Sequence, residues 1–174
     1  SRAIIISATG TGKTYLSAFD VRQVKPNRML YIAQQEQILR KAEESFQKVL
    51  GCPDSELGLF SGTSKESDRK YVFATVQTMS RPETLARFTK DEFDYILVDE
   101  VHHAAADSYK RIIDHFEPDF MLGMTATPER TDGANIFELF GNNVAYEIRL
   151  QKALEEDMLC PFHYYGVHEY IQDS

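Results

Sequence analysis

Two stretches of this chain carry residue types at spacings that can do chemistry. The first is Ser7-Ala-Thr-Gly-Thr-Gly-Lys-Thr14, which follows the apolar run Ala3–Ser7 and opens a helical pattern. Gly10 and Gly12 allow backbone conformations in which successive amides point inward and cradle a phosphate. A helix beginning near Gly12 adds its positive N-terminal end. Lys13 can then reach β- and γ-phosphates, and the Thr14 hydroxyl can ligate Mg²⁺. Thr9, Gly10, Thr11, Gly12, Lys13 and Thr14 are the candidate nucleotide-binding loop. The general pattern GxxxxGK[ST] wants glycine where Ser7 stands. A chance glycine-rich turn is the competing reading, and the strand–loop–helix context speaks against it.

The second stretch is Ile96-Leu-Val-Asp-Glu100, an apolar run ending in two carboxylates and followed by Val101, His102 and His103. A strand-end aspartate such as Asp99 can hold Mg²⁺, usually through water, while Glu100 polarises an attacking water. Neighbouring residues on a strand point in different directions, so the pair can serve two roles. The plainer alternative is that Asp99 caps the next helix. Neither histidine has HExxH or His/Cys ligand spacing. His102 is read as a hydrogen-bonding link, and His103 is left unassigned.

These residues need a scaffold that brings separate chain segments to one edge. Short apolar runs at Ala3–Ser7, Met29–Ala33, Tyr71–Val76, Tyr95–Asp99 and Phe120–Thr125 read as strands covered on both faces. Helical patterns lie between them. Gln35–Leu50 has Ile38, Leu39, Ala42, Phe46, Val49 and Leu50 on one stripe, with Gly51 as a stop. Pro82 suits the first turn of a helix through Phe88. Ala104–Phe116 and Ala134–Phe140 are further candidates, and Leu150–Asp157 reads as a short helix before a strand at Pro161–Val167. Tyr164 and Tyr165 in that last strand suit packing or base stacking. Such alternation predicts an α/β fold, a mainly parallel sheet with helices on both faces and right-handed crossovers. Ligands then belong at the carboxyl ends of the strands.

Composition fits this picture. The chain has 174 residues, 19 basic and 27 acidic, for a net charge of −8 that argues against coating nucleic acid by bulk charge. No apolar run approaches the ~20 residues needed to span a bilayer as a helix, so no membrane partner is expected. Cys52 and Cys160 form no CxxC pair, which disfavours a disulfide scaffold or a zinc module. A reducing, cytoplasmic setting is expected. The first residue is serine, which suggests a piece of a longer chain.

The motifs together resemble superfamily 2 helicases and translocases of the DEAD/DEAH type. Ala8–Thr14 looks like their motif I, in which a serine at position 7 is unremarkable. Asp99-Glu-Val-His102 looks like their DEAH-type box, and Thr125-Ala-Thr-Pro-Glu-Arg130 like motif III. Phe73-Ala-Thr-Val-Gln-Thr78 resembles the threonine-rich strand end that touches the nucleic-acid backbone, and Tyr31–Leu39 sits where motif Ia belongs. All occur in the family's order. Thr125–Gly133 and Tyr146–Tyr165 look most like the restriction-subunit (type III) and excision-repair branch. That branch usually carries a His-Arg pair where Gln34 and Gln35 stand.

The resemblance implies a RecA-like P-loop NTPase domain over residues 1–150. Residues 151–174 would be a C-terminal extension or a lead-in to a second RecA-like domain of the same parent chain. It implies ATP and Mg²⁺ as cofactors, with Lys13 and Glu100 catalytic and Thr14 and Asp99 on the metal. His102, Thr125 and Thr127 would couple the nucleotide site to nucleic acid, DNA rather than RNA. Gln34, Gln35, Thr75, Gln77 and Thr78 would meet the phosphodiester backbone, although simple strand-end hydrogen bonding competes for Thr75 and Thr78. Arg130 would contact phosphate or pair with an acid. The implied function is the motor domain of an ATP-dependent helicase or translocase. In this family the second domain supplies the arginine fingers, whose loss costs on the order of 10³–10⁵ in rate, so weak turnover by the isolated chain is expected. The alternatives are a P-loop ATPase of signalling or assembly without nucleic acid, a small-molecule kinase, and a binding module without hydrolysis.

Overall fold

The computed structural model describes residues 2–7, 10–99, 106–125 and 167–168. In chain order the elements are β1 (Arg2–Ser7), α1 (Gly10–Val24), β2 (Met29–Ala33), α2 (Glu36–Leu50), a 3₁₀ turn at Asp54–Glu56, and β3 (Leu57–Phe60). They continue with β4 (Tyr71–Thr75), α3 (Val76–Met79), α4 (Pro82–Leu85), β5 (Tyr95–Asp99), α5 (Ala106–His115), β6 (Phe120–Thr125) and β7 (Val167–His168). The strands form one sheet in the order β3-β4-β2-β5-β6-β1-β7. Every pairing from β3 through β1 is parallel, and β7 joins β1 antiparallel.

Side-chain alternation sends each strand's residues to two separate cores. Tyr31, Phe73, Tyr95 and Leu97 face Leu16 and Val21 of α1 and Leu39, Ala42 and Phe46 of α2. Leu30, Ile32, Val72, Ile96 and Val98 face Tyr109, Ile112, Ile113 and Phe116 of α5, with Phe88 and Phe93. β2, β4 and β5 are buried at every position, which is why they read as continuous apolar runs. The expected α/β architecture, a mainly parallel sheet with helices on both faces, is the one observed.

Boundaries moved where local chemistry decides them. Gln35 is the extended residue before α2 rather than its first turn, and Gly51 closes that helix at φ 63°. Its amide donates to the Gln47 carbonyl at 2.8 Å, and the left-handed conformation is one glycine adopts without a Cβ penalty. β4 stops at Thr75 because Val76 opens the short helix α3. The helix at Pro82 ends at Leu85 rather than Phe88. α5 is described from Ala106 to His115. The strand β3 was not expected, since Leu57-Gly-Leu-Phe60 is short and interrupted by glycine. The helix expected at Ala134–Phe140 and the one at Leu150–Asp157 lie outside the described residues. Of the strand expected at Pro161–Val167, the described portion is Val167, which pairs with Ser7, while His168 pairs with Ile6. Among the described residues no helix is long and apolar enough to cross a membrane.

Candidate nucleotide site and strand-end edge

Because the strands from β3 through β1 run parallel, their carboxyl ends meet at one edge of the sheet. Asp99, last in β5, lies opposite Met124 of β6, and Thr125 lies opposite Ile6 of β1. On the other side Ala33, last in β2, lies opposite Thr75, last in β4. Segments far apart in sequence are thereby brought side by side.

The candidate phosphate loop leaves β1 at Ser7, and α1 already begins at Gly10, two residues earlier than expected. The backbone of Gly10, Thr11, Gly12, Lys13 and Thr14 is the opening of this helix. Its first amides have no partner further up the helix, and no acidic side chain occupies its first turn. Those donors and the helix dipole suit an anion. Thr9 and the side chain of Lys13 lie outside the described residues.

Thr14 and Asp99 are joined through a third residue, Tyr31, to which the motifs assign no role. The Tyr31 hydroxyl donates to Asp99 Oδ2 at 2.6 Å. The Thr14 side chain hydrogen-bonds the same phenol. Tyr31 is fully buried, so burial first, and the Asp99 charge and hydrogen bond next, push its pKa well above the usual tyrosine range. The phenol therefore stays a donor at any physiological pH. Asp99 itself is 2% exposed. From the opposite face of the sheet, the Tyr109 hydroxyl of α5 donates to the Asp99 carbonyl at 3.2 Å. Burial, then the Asp99 charge, also raise the Tyr109 pKa.

A hydroxyl and a carboxylate are hard oxygen donors of the kind Mg²⁺ takes. Mg²⁺ commonly keeps several waters and substrate phosphates, so one or two side chains suffice. Among the described residues no three His, Cys, Asp or Glu side chains cluster as a metal cage. The Thr14–Asp99 pair thus fits the donor set expected of it. Glu100, His102, His103, Thr127 and Arg130 lie outside the described residues, and Thr125 is described in its backbone alone, as the last residue of β6.

The residues expected to meet nucleic acid divide in two. Gln35 and Gln77 are exposed and Gln34 is half-buried. Thr75 and Thr78 are buried, and their hydroxyls bond each other at 2.9 Å. Thr75 ends β4, whereas Gln77 and Thr78 belong to α3, so the threonine-rich segment is a strand end plus a helical turn. Beside it, Glu36 in the first turn of α2 accepts from Ser61 Oγ at 2.5 Å and from Thr63 Oγ1. These bonds hold the Glu36 carboxyl below its ordinary range and fasten the loop after β3 to α2.

The motifs assign no role to Tyr31, Tyr109 or the Glu36 cluster. Parity is the signal that could have found Tyr31. It pairs with Leu97, two residues before Asp99, so both side chains stand on one face of adjacent strands.

Residues 1–130 match the family model described as type III restriction enzyme, res subunit. The chain is 26% identical to a putative ATP-dependent helicase, IRC3, of Saccharomyces cerevisiae, over 88% of this chain and 24% of that protein. It is 29% identical to the DNA 3'-5' translocase XPB2 of Sulfurisphaera tokodaii, over 89% of this chain and 33% of that protein. It therefore spans a third or less of these two relatives. A crystal structure of a hypothetical ATP-dependent RNA helicase from Sulfolobus tokodaii superimposes with a TM-score of 0.69 at 15% identity, covering 82% of this chain and 46% of that one. At that identity the likeness concerns the fold, which is that of a RecA-like helicase domain.

Proposed function

This chain belongs to the type III restriction enzyme res-subunit family, and we propose that it is the ATP-hydrolysing motor domain of a nucleic-acid helicase or translocase. The observation that carries the reading is the junction of Thr14 and Asp99 through Tyr31 at the carboxyl edge of the sheet. It brings the end of the phosphate loop to the strand-end acid, as hydrolysis of a nucleoside triphosphate requires.

In this reading the amides of Gly10–Thr14 hold the phosphates, and Lys13 neutralises the β and γ groups. Thr14 and Asp99 would hold Mg²⁺, which when bound neutralises charge developing on the phosphate oxygens. Glu100, the second acid of the DEAH-type box, orients or deprotonates the hydrolytic water. His102, Thr125 and Thr127 carry the state of the nucleotide toward the nucleic-acid side. Gln34, Gln35 and Gln77 lie along the neighbouring strand ends and meet phosphodiester oxygens, a contact that positions a protein without reading sequence. DNA is the favoured polymer because the XPB2 relative is named a DNA translocase. A second RecA-like domain of the parent protein completes the catalytic site, and the protein works in the cytoplasm.

The test is ATP hydrolysis by the chain with and without duplex DNA, single-stranded DNA and RNA, together with Mg·ADP binding by wild type and Lys13→Ala. Lys13-dependent binding with little turnover supports the motor-domain reading. Brisk turnover indifferent to nucleic acid would replace it with a self-sufficient ATPase of signalling or assembly.

A further inference from the structure

We propose that Tyr31 is a positioning residue for the cation site, holding the Asp99 carboxylate and the Thr14 hydroxyl in place before nucleotide and metal arrive. The inference rests on the motor-domain reading above. Three features carry it.

First, the phenol joins two prospective oxygen ligands that belong to different elements, Thr14 on α1 and Asp99 on β5, while Tyr31 sits on the strand next to β5. Second, the ring has little freedom. It lies edge-on to Phe46 at 5.5 Å between centroids and against Phe73 at 5.4 Å, and it is fully buried. The hydroxyl is therefore delivered to a fixed point. Third, the main chain of Asp99 is held as well, through the Tyr109 hydroxyl from the other face. With carboxylate and carbonyl both anchored, the side chain cannot swing away from the edge without breaking a buried hydrogen bond.

The tyrosine oxygen is not itself a metal ligand here. Its hydroxyl is spent donating to Asp99 Oδ2, so its action on a cation passes through the two residues it orients. Partners that orient metal ligands typically change metal affinity 10- to 100-fold when removed. Phenylalanine would fill the same space against Phe46 and Phe73 while lacking the oxygen.

The test is a titration of a fluorescent ADP analogue into wild type and Tyr31→Phe, in EDTA and over a series of Mg²⁺ concentrations. The expected result is an Mg²⁺ midpoint raised about 10-fold or more in Tyr31→Phe, with metal-free ADP affinity unchanged. Tyr31→Phe in an Asp99→Asn background should shift the midpoint less than it does in the wild-type background. A Tyr31→Phe midpoint equal to that of wild type would overturn the inference and leave the motor-domain reading standing. A wild-type chain whose ADP binding depends on neither Mg²⁺ nor Lys13 would overturn both. Should Tyr31→Phe not fold, the wild type labelled with ¹³Cζ-tyrosine answers the same question. The Tyr31 resonance should move on adding Mg·ADP and stay put with ADP in EDTA, and a resonance indifferent to Mg·ADP would count against the inference.

Discussion

The hydroxyl of Tyr95, the first residue of β5, donates to the buried Asp20 carboxylate of α1 at 2.5 Å. The two lie 75 residues apart in sequence. This bond ties the helix that opens with the candidate phosphate loop to the strand that ends in Asp99. Removing a partner from a buried carboxylate costs about 1.5–3 kcal/mol. Tyr95→Phe is expected to lower the melting temperature by about 4–8 °C and to weaken nucleotide binding as well, because α1 and β5 then hold their ends less firmly. Thermal melts followed by circular dichroism, with and without Mg·ADP, check this.

Arg28 clamps the opposite edge of the sheet. Its guanidinium pairs with Glu92 at 2.5 Å, donates to the carbonyls of Ser67 at 2.8 Å and Arg69 at 3.0 Å, and lies 4.6 Å from the Phe93 ring centre. Arg28→Ala is expected to destabilise by about 2 kcal/mol, with nucleotide affinity intact because the clamp is remote from the strand-end edge. Arg28→Lys should recover little, since an ammonium cannot reproduce the planar fork. Urea unfolding of the three proteins decides it.

Glu43 on α2 offers a pH dependence with a definite sign. Burial, then the nearby Glu66, raise its pKa above the ordinary glutamate value. A raised carboxyl favours the folded state when protonated, and that contribution is lost as pH rises through the folded pKa. At neutral pH the charged group is therefore a liability, softened by solvent. Glu43→Gln is expected to raise the melting temperature at pH 7 by about 1 °C, and the gain should vanish below about pH 4, where wild-type Glu43 is protonated too. Melts over pH 3–8 (about five points, spanning the glutamate range) would show it.

The strand-end edge separates structural threonines from solvent-facing amides. The Thr75 and Thr78 hydroxyls are buried against each other, whereas Gln35 and Gln77 are exposed. Thr75→Val is expected to cost about 1 kcal/mol of stability. Gln35→Ala and Gln77→Ala should leave the melting temperature unchanged and weaken binding to a fluorescent DNA duplex a few-fold, without altering any preference among sequences. Equal DNA affinity in all these variants would remove this edge from the proposed interface.

The class of fold and the candidate nucleotide loop were legible in the chain because both depend on local order. An unbroken apolar run such as Met29–Ala33 must be covered on both faces wherever it sits. A glycine-rich turn between a strand and a helix has the backbone freedom a phosphate needs. The acid pair at Asp99 and Glu100 was visible for the same reason, as the polar end of an apolar strand. What tertiary structure alone decided is which distant residues share a point in space. Nothing near Tyr31 in sequence says that its oxygen meets Asp99, 68 residues away. That contact follows from β2 and β5 becoming neighbours in a register that pairs Tyr31 with Leu97. For Thr75 and Thr78 the sequence leaves nucleic-acid contact and strand-end hydrogen bonding both open, and only α3, which turns the chain and buries the two hydroxyls together, decides between them. β3 stayed hidden because four residues with a glycine carry too little pattern, and it forms because β4 offers a paired edge. Local propensity writes the elements, while packing across the sheet chooses the neighbours, and the geometry of this site is a matter of neighbours.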